Sequence, residues 1–283
     1  MYKIGVVGLA AVAVAWVPLA VPDAYPPPGV DSSWATSAYV GHLALEQRDW
    51  SWKGRVERGD FIEIKGVNGE IHAERASGNE VEVQAELRGR KSSPDDVEIQ
   101  VVEHAGGVTI CAVYPSKDKD RPNECLPGSK GRNSVKNNDV SVDFTVRVPT
   151  GVGFIGRTVN GDVDALGIDG DVRAHTVNGD VDISSNGLAE ATTVNGSITA
   201  SMDRANWDGT LNFTTVNGSV TLEMPDDLNC DLSVSTVNGH LDFDFPLTVE
   251  GRFSPRHVKG TIGQGGRSLV IKTVNGSVQL RRS

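Results

Sequence analysis

Basic residues are in short supply: Lys and Arg total 27 against 37 Asp and Glu, for a formal net charge of -10. That balance argues against nucleic acid or an anionic membrane surface as the main partner. Cysteine is rare as well, at three residues. None of the three follows the apolar run near the N-terminus, which argues against lipoprotein attachment. The six histidines, His42, His72, His104, His175, His240 and His257, lack metal-ligand spacing and are expected to be structural or solvent-facing. No Ser or Cys sits in a nucleophile motif, no Gly-rich phosphate loop precedes a helix, and no helix-rich segment is visible. No catalytic residue and no cofactor is therefore implied. Aromatic residues make up only 6%, yet a hydrophobic fraction of 38% over 283 residues leaves ample material for a core.

What the sequence has in quantity is glycine, 32 residues, much of it in one recurring motif. Thr-Val-Asn-Gly, then Asp, Ser or His, then an aliphatic residue, occurs at 158–163, 176–181, 193–198, 215–220, 236–241 and 273–278. A looser copy is Val67-Asn68-Gly69-Glu70-Ile71, and relatives without the Asn begin at Ile168 and Val258. Asn and Gly readily take positive φ, so each pair marks a tight corner. Beyond the corner the pattern alternates, as in Val163-Asp164-Ala165, which is a strand with one buried face.

The motif glycines return every 16 to 22 residues. Asn-Gly hairpins in an antiparallel sandwich are the competing explanation, but they do not account for the nearly constant unit length. A solenoid does, by stacking like on like at about 4.8 Å per rung around an inner file of Val, Ile and Leu. Gly170 lies midway between Gly161 and Gly179, which suggests a flattened coil with two similar sides. The longer units insert 203–209 and 225–229, read as loops on one edge. The expected fold class is all-β, a single-stranded parallel β-helix or solenoid with an irregular N-terminal β portion.

In chain order, residues 1–24 read as a signal peptide: Lys3, an apolar run from Ile4 to Val17, then a polar exit. The alternative is an uncleaved anchor. Residues 25–49 read as a Pro-rich linker. Residues 50–150 form the N-terminal β region, where Trp50, Trp52 and Val56 share a face suited to covering the end of the core. There Cys111 and Cys125 are disulfide candidates beside a polar loop, while Cys230 reads as a small buried hydrophobe. Residues 151–283 hold the regular repeats.

Trp52-x-Gly54-x-Val56, Ile62-x-Ile64, Val67-Asn68-Gly69 and the later Thr-Val-Asn-Gly copies together resemble the bacterial putative-adhesin family over residues 50–283. The resemblance implies a β-helix at the cell envelope with a non-enzymatic role, and it carries over no catalytic or ligand residues. The chain departs from the clean repeat over 243–256 and at Lys259.

Two constellations invite a functional reading. Asp162, Asp164, Asp171, Asp180 and Asp182 follow the corners, so stacking would gather carboxylates on an outer face, where Ca²⁺ would relieve their repulsion. Later copies carry Ser197, Ser219 and Ser277 instead, which confines any such site to the first rungs, and solvated surface carboxylates remain the simpler expectation. Second, Asn160, Asn178, Asn195, Asn217, Asn238 and Asn275 are placed to hydrogen-bond from rung to rung as a structural ladder. The last copy, Val274–Leu280, has little sequence after it and reads as an open end, available for self-association. The functional expectation is an exported adhesin or envelope scaffold binding a protein or glycan through a flat strand face. The alternatives are a calcium- or carbohydrate-binding module, or a β-helical polysaccharide-active enzyme.

Overall fold

The computed structural model describes residues 46–283 apart from 119, 130, 250–253 and 255. The expected signal peptide and most of the expected linker lie outside the described residues. The described residues are all-β apart from one short 3-10 turn at Pro94–Asp96. Their strands form two large sheets, of ten and eleven strands.

The regular part explains the repeat. Strands β8 (Gly153–Arg157), β10 (Val172–His175), β12 (Ala189–Thr192) and β14 (Thr210–Thr214) lie side by side in the second sheet. Strands β9 (Val163–Ile168), β11 (Val181–Ser185), β13 (Ile198–Met202) and β15 (Val220–Met224) lie side by side in the first. All neighbours in these two sets are parallel. The chain thus crosses from one sheet to the other at every corner, and each turn of this solenoid-like stack is two strands and two corners. Thr-Val-Asn-Gly forms the corner entering the first sheet. The second corner is short at Gly170 and Gly187 and carries both insertions, 203–209 and 225–229. Trp207, 3% exposed, plugs the first insertion and donates from Nε1 to the Ser268 carbonyl at 3.2 Å.

Between the sheets run files of side chains such as Val163, Val181, Ile198, Val220 and Val278, each at most 1% exposed. Each contributes about 1.5–3 kcal/mol on burial. Only the aliphatic residue after the Asn-Gly pair points inward. Val159, Val177, Val194 and Val216, on the other side of the pair, are exposed. The inward place at the start of the corner belongs to Thr158, Thr176, Thr193 and Thr215, at 1–6% exposure. The sequence pattern treats the flanking valines as equivalent, but the bend of the corner turns one of them outward.

Both ends of the stack are built out of sequence order. Near the N-terminus, β2 (Phe61–Lys65) and β3 (Ile71–Arg75) make a rung around the Asn68 corner. β6 (Gly107–Val113) and β7 (Ser141–Val148) cover one side of it, and β8 and β9 the other. Outside β7 lie β4 (Val81–Gly89) and then β1 (Glu46–Gly54), both antiparallel, and outside β6 lies β5 (Glu98–His104). β1 begins inside the segment expected to be linker, and its Trp50 and Trp52 pack against the core from the sheet edge.

At the other end, β16 (Cys230–Ser235) and β17 (Leu241–Phe243) stand two rungs away from β14 and β15. β18 (Leu247–Val249) and β19 (His257–Ile262) then cover β16 in antiparallel fashion. The chain returns through β20 (Ser268–Lys272) and β21 (Val278–Arg282), which slot between the two rungs and pair in parallel with both. The copy at 273–278 is therefore interior, and the expectation that Val274–Leu280 forms the open end is corrected. The outermost copy is the one at 236–241, whose strand β17 is a sheet edge.

Candidate functional site

The most regular surface of the molecule is the Thr-Val-Asn-Gly corner, where five kinds of side chain stack in parallel files. Each threonine hydroxyl donates to the carbonyl of the glycine one rung back: Thr158 to Gly69, Thr176 to Gly161, Thr193 to Gly179 and Thr215 to Gly196, at 2.8–3.1 Å. Thr273 and Thr236 continue the file onto Gly218 and Gly276. The hydroxyl is what allows a polar residue to occupy a buried place there.

The asparagines form a directional amide ladder. Nδ2 of Asn160 donates to Oδ1 of Asn68, Asn178 to Asn160, Asn195 to Asn178 and Asn217 to Asn195. Asn275 then donates to Asn217 and Asn238 to Asn275, and every step measures 2.7–2.8 Å. Glycine is required beside them chiefly by close approach, since a Cβ on Gly196 would sit 1.9 Å from the Gly179 carbonyl oxygen. None of these asparagines has a positive φ; Asn137 is the single non-glycine residue that does among those described.

The acidic positions divide among three places instead of forming one face. Asp162 and Asp180 sit at this corner, and each accepts the backbone N–H of the next rung, from Asp180 and Ser197, at 2.7 Å. Ser197, Ser219 and Ser277 continue the same role through Oγ at 3.1–3.2 Å. Alternation between Asp and Ser thus preserves an acceptor oxygen, not a charge. Asp171 does the equivalent at the second corner, accepting from the Leu188 N–H at 3.0 Å. Asp164 and Asp182 are neighbours on the outer face of the first sheet, with His72 beside Asp164 at 3.8 Å. Burial and then the Asp164 charge push the Asp182 carboxyl above its ordinary value. Among the described residues no group of three or more His, Cys, Asp or Glu is placed to hold a metal ion.

What the repeat does not advertise is the outward valine file. Val159, Val177, Val194, Val216, Val274 and Val237 are 37–53% exposed and occupy the same place in six successive rungs, making an apolar ridge beside the amide ladder.

A separate polar cluster lies on the second sheet beneath the loop after β6. Cys111 and Cys125 are joined by a disulfide, and the loop this ties down places the Gly128 N–H 2.8 Å from Glu63 Oε2. Glu63, 3% exposed, also accepts from the Thr109 hydroxyl at 3.0 Å and from Arg157 Nε at 2.9 Å. Next to Arg157 in register is His175, whose imidazole is pushed down to about 4 by burial, by Arg157 and by Arg173. This network anchors the loop. Cys230 is a buried thiol.

The model of the Toastrack family, DUF4097, matches residues 157–281, the regular rungs and the interleaved end. No curated protein matches the sequence. Among solved structures, a putative cell adhesion protein from Clostridium sporogenes ATCC 15579 is similar over 84% of this chain and 100% of its own, at 11% identity and a TM-score of 0.44. A putative adhesin from Bacteroides fragilis NCTC 9343 covers 82% and 97%, at 13% identity and a TM-score of 0.32. A putative lipid binding protein from Parabacteroides distasonis ATCC 8503 covers 84% and 97%, at 7% identity and a TM-score of 0.24. At these scores the fold rests on the strand pairing described above.

Proposed function

We propose that this chain is a non-enzymatic, exported binding protein of the cell envelope, a single-stranded β-helix that engages a protein or glycan along its Thr-Val-Asn-Gly corner. The observation that carries this reading is the ridge of six outward valines, at a motif position whose counterpart after the Asn-Gly pair is buried in five of the six copies and partly buried, at Leu241, in the sixth. Methyl groups repeated at about 4.8 Å, flanked by side-chain amides, suit an extended partner contacted at many equivalent points. Exposed contiguous apolar surface of this kind marks interaction sites. Export is supported by the apolar run after Lys3 and by the Cys111–Cys125 disulfide, a bond that persists in oxidising compartments.

The test is capture from a cell-envelope fraction by the native chain and by the double variant Val177→Glu/Val194→Glu. Loss of capture with an unchanged melting temperature supports the ridge, and equal capture overturns it. One observation favours a second reading, a calcium-binding module: Asp164 and Asp182 are held side by side, and a hard cation would relieve them. A melting midpoint raised by calcium and abolished by Asp182→Asn would favour that reading over the ridge.

A further inference from the structure

Eight Asn-Gly pairs occur in this chain, at Asn68, Asn160, Asn178, Asn186, Asn195, Asn217, Asn238 and Asn275. An Asn-Gly pair can modify itself, because the glycine nitrogen has no neighbouring side chain to hinder its attack on the asparagine amide carbon. The stack controls whether that nitrogen is available. Six motif glycines donate their N–H to the Asn carbonyl of the next rung outward: Gly69 to Asn160, Gly161 to Asn178, Gly179 to Asn195, Gly196 to Asn217, Gly218 to Asn275 and Gly276 to Asn238, at 2.8–3.0 Å. Gly187, at the second corner, donates instead to Ser185 Oγ at 2.8 Å, while the Asn186 side chain is held by Asp169.

Gly239 is the exception. Its rung is the last one, so the direction in which every other motif glycine donates leads out of the stack. Among the described residues no acceptor takes its N–H. The asparagine before it has a single ladder bond, since Asn238 donates to Asn275 but receives no amide from a further rung; Asn68, at the other end, also has one, but there the following Gly69 N–H is taken by Asn160. Its neighbour Val237 is the most exposed of the valine file, at 53%.

We propose that Asn238–Gly239 is a site of spontaneous deamidation, selected by its place at the end of the stack and suppressed by stacking at the other copies. The Gly239 nitrogen forms a bond to Cγ of Asn238 as the Cγ–Nδ2 bond breaks. Nδ2 leaves as ammonia, carrying the proton of the Gly239 N–H, and a succinimide remains. Water then opens the ring at either carbonyl to give aspartate or isoaspartate, so the net change consumes one water and releases one ammonia. Either product lacks the donor that Asn238 offers Asn275. Each adds a negative charge at the corner that leads into the edge strand β17, where charge discourages further strand addition. The modification is therefore a slow covalent capping of the outermost rung.

The full chain is incubated at mildly alkaline pH, folded and in denaturant, and digested. Aspartate plus isoaspartate is then measured by mass spectrometry at every Asn-Gly pair. The denatured sample removes intrinsic sequence effects, so the quantity read is the ratio of folded to unfolded rates at each site. That ratio is expected to be near unity for Asn238. It is expected to be at least about tenfold lower for Asn160, Asn178, Asn195, Asn217 and Asn275, which must open locally before reacting. Equal protection at Asn238 and Asn217, or equal reaction at all copies in the folded chain, overturns the proposal.

Discussion

At the scale of single residues, Thr and Asn contribute to the same corner with different weight. Thr215 is buried and its hydroxyl satisfies the part-buried Gly196 carbonyl, so Thr215→Val keeps the shape but leaves that acceptor without its donor, at a cost of about 1–3 kcal/mol. Asn195 makes two ladder bonds of 2.7–2.8 Å, but it is exposed and water can replace them. Asn195→Ala should therefore lower stability by about 0.5–1.5 kcal/mol. Chemical denaturation of the two variants should rank Thr215→Val as the more damaging. The Asn ladder was legible because identical amides at a fixed interval have few other uses. The threonine file is less legible, although Thr stands first in all six full copies, because its role lies in a hydroxyl bond to a glycine carbonyl one rung back. The role of Asp162 and Asp180 was hidden because a carboxylate suggests charge, and only the exchange with Ser197 and Ser219 reveals that the shared property is an acceptor oxygen.

At the scale of elements, the repeat foretells strands, corners and parallel stacking, but not which rung neighbours which. Thr273-Val274-Asn275-Gly276 and Thr236-Val237-Asn238-Gly239 carry the same signature, so each is chemically able to stack on Asn217 and Gly218. The Thr-Val-Asn-Gly code specifies that a rung may be added and is silent on order. Order is set by what lies between the copies, here the antiparallel β18–β19 cover that turns the chain back. Removal of residues 267–283 is therefore expected to do more than trim an end. It removes the fully buried Leu269, Ile271, Val278 and Leu280 from between two rungs, a loss of about 6–12 kcal/mol at 1.5–3 kcal/mol each. Limited proteolysis of the truncated chain should show cleavage over 225–262, while the rungs before β14 stay protected.

At the scale of the whole molecule, acid should weaken the fold through His175. Its folded value, about 4, lies below the ordinary 6.5, so between those values the unfolded chain binds a proton that the folded chain refuses. Stability therefore rises with pH through that window and is lost as pH falls from about 6.5 toward 4. Arg157 and Arg173 reinforce the shift, and Glu63 opposes it. Thermal midpoints measured across this range should decline less steeply for His175→Gln than for the native chain. A coupling of this kind is not legible in the sequence, because it depends on β8 and β10 being neighbours, which sets His175 beside Arg157. The interleaved last rung has a further consequence, for biosynthesis. A chain leaving the ribosome, or threading across a membrane, presents β16 and β17 before the strands that belong beneath them exist. Until β20 and β21 emerge, the molecule carries an open seam between two rungs that are already made, and only those two later strands can close it.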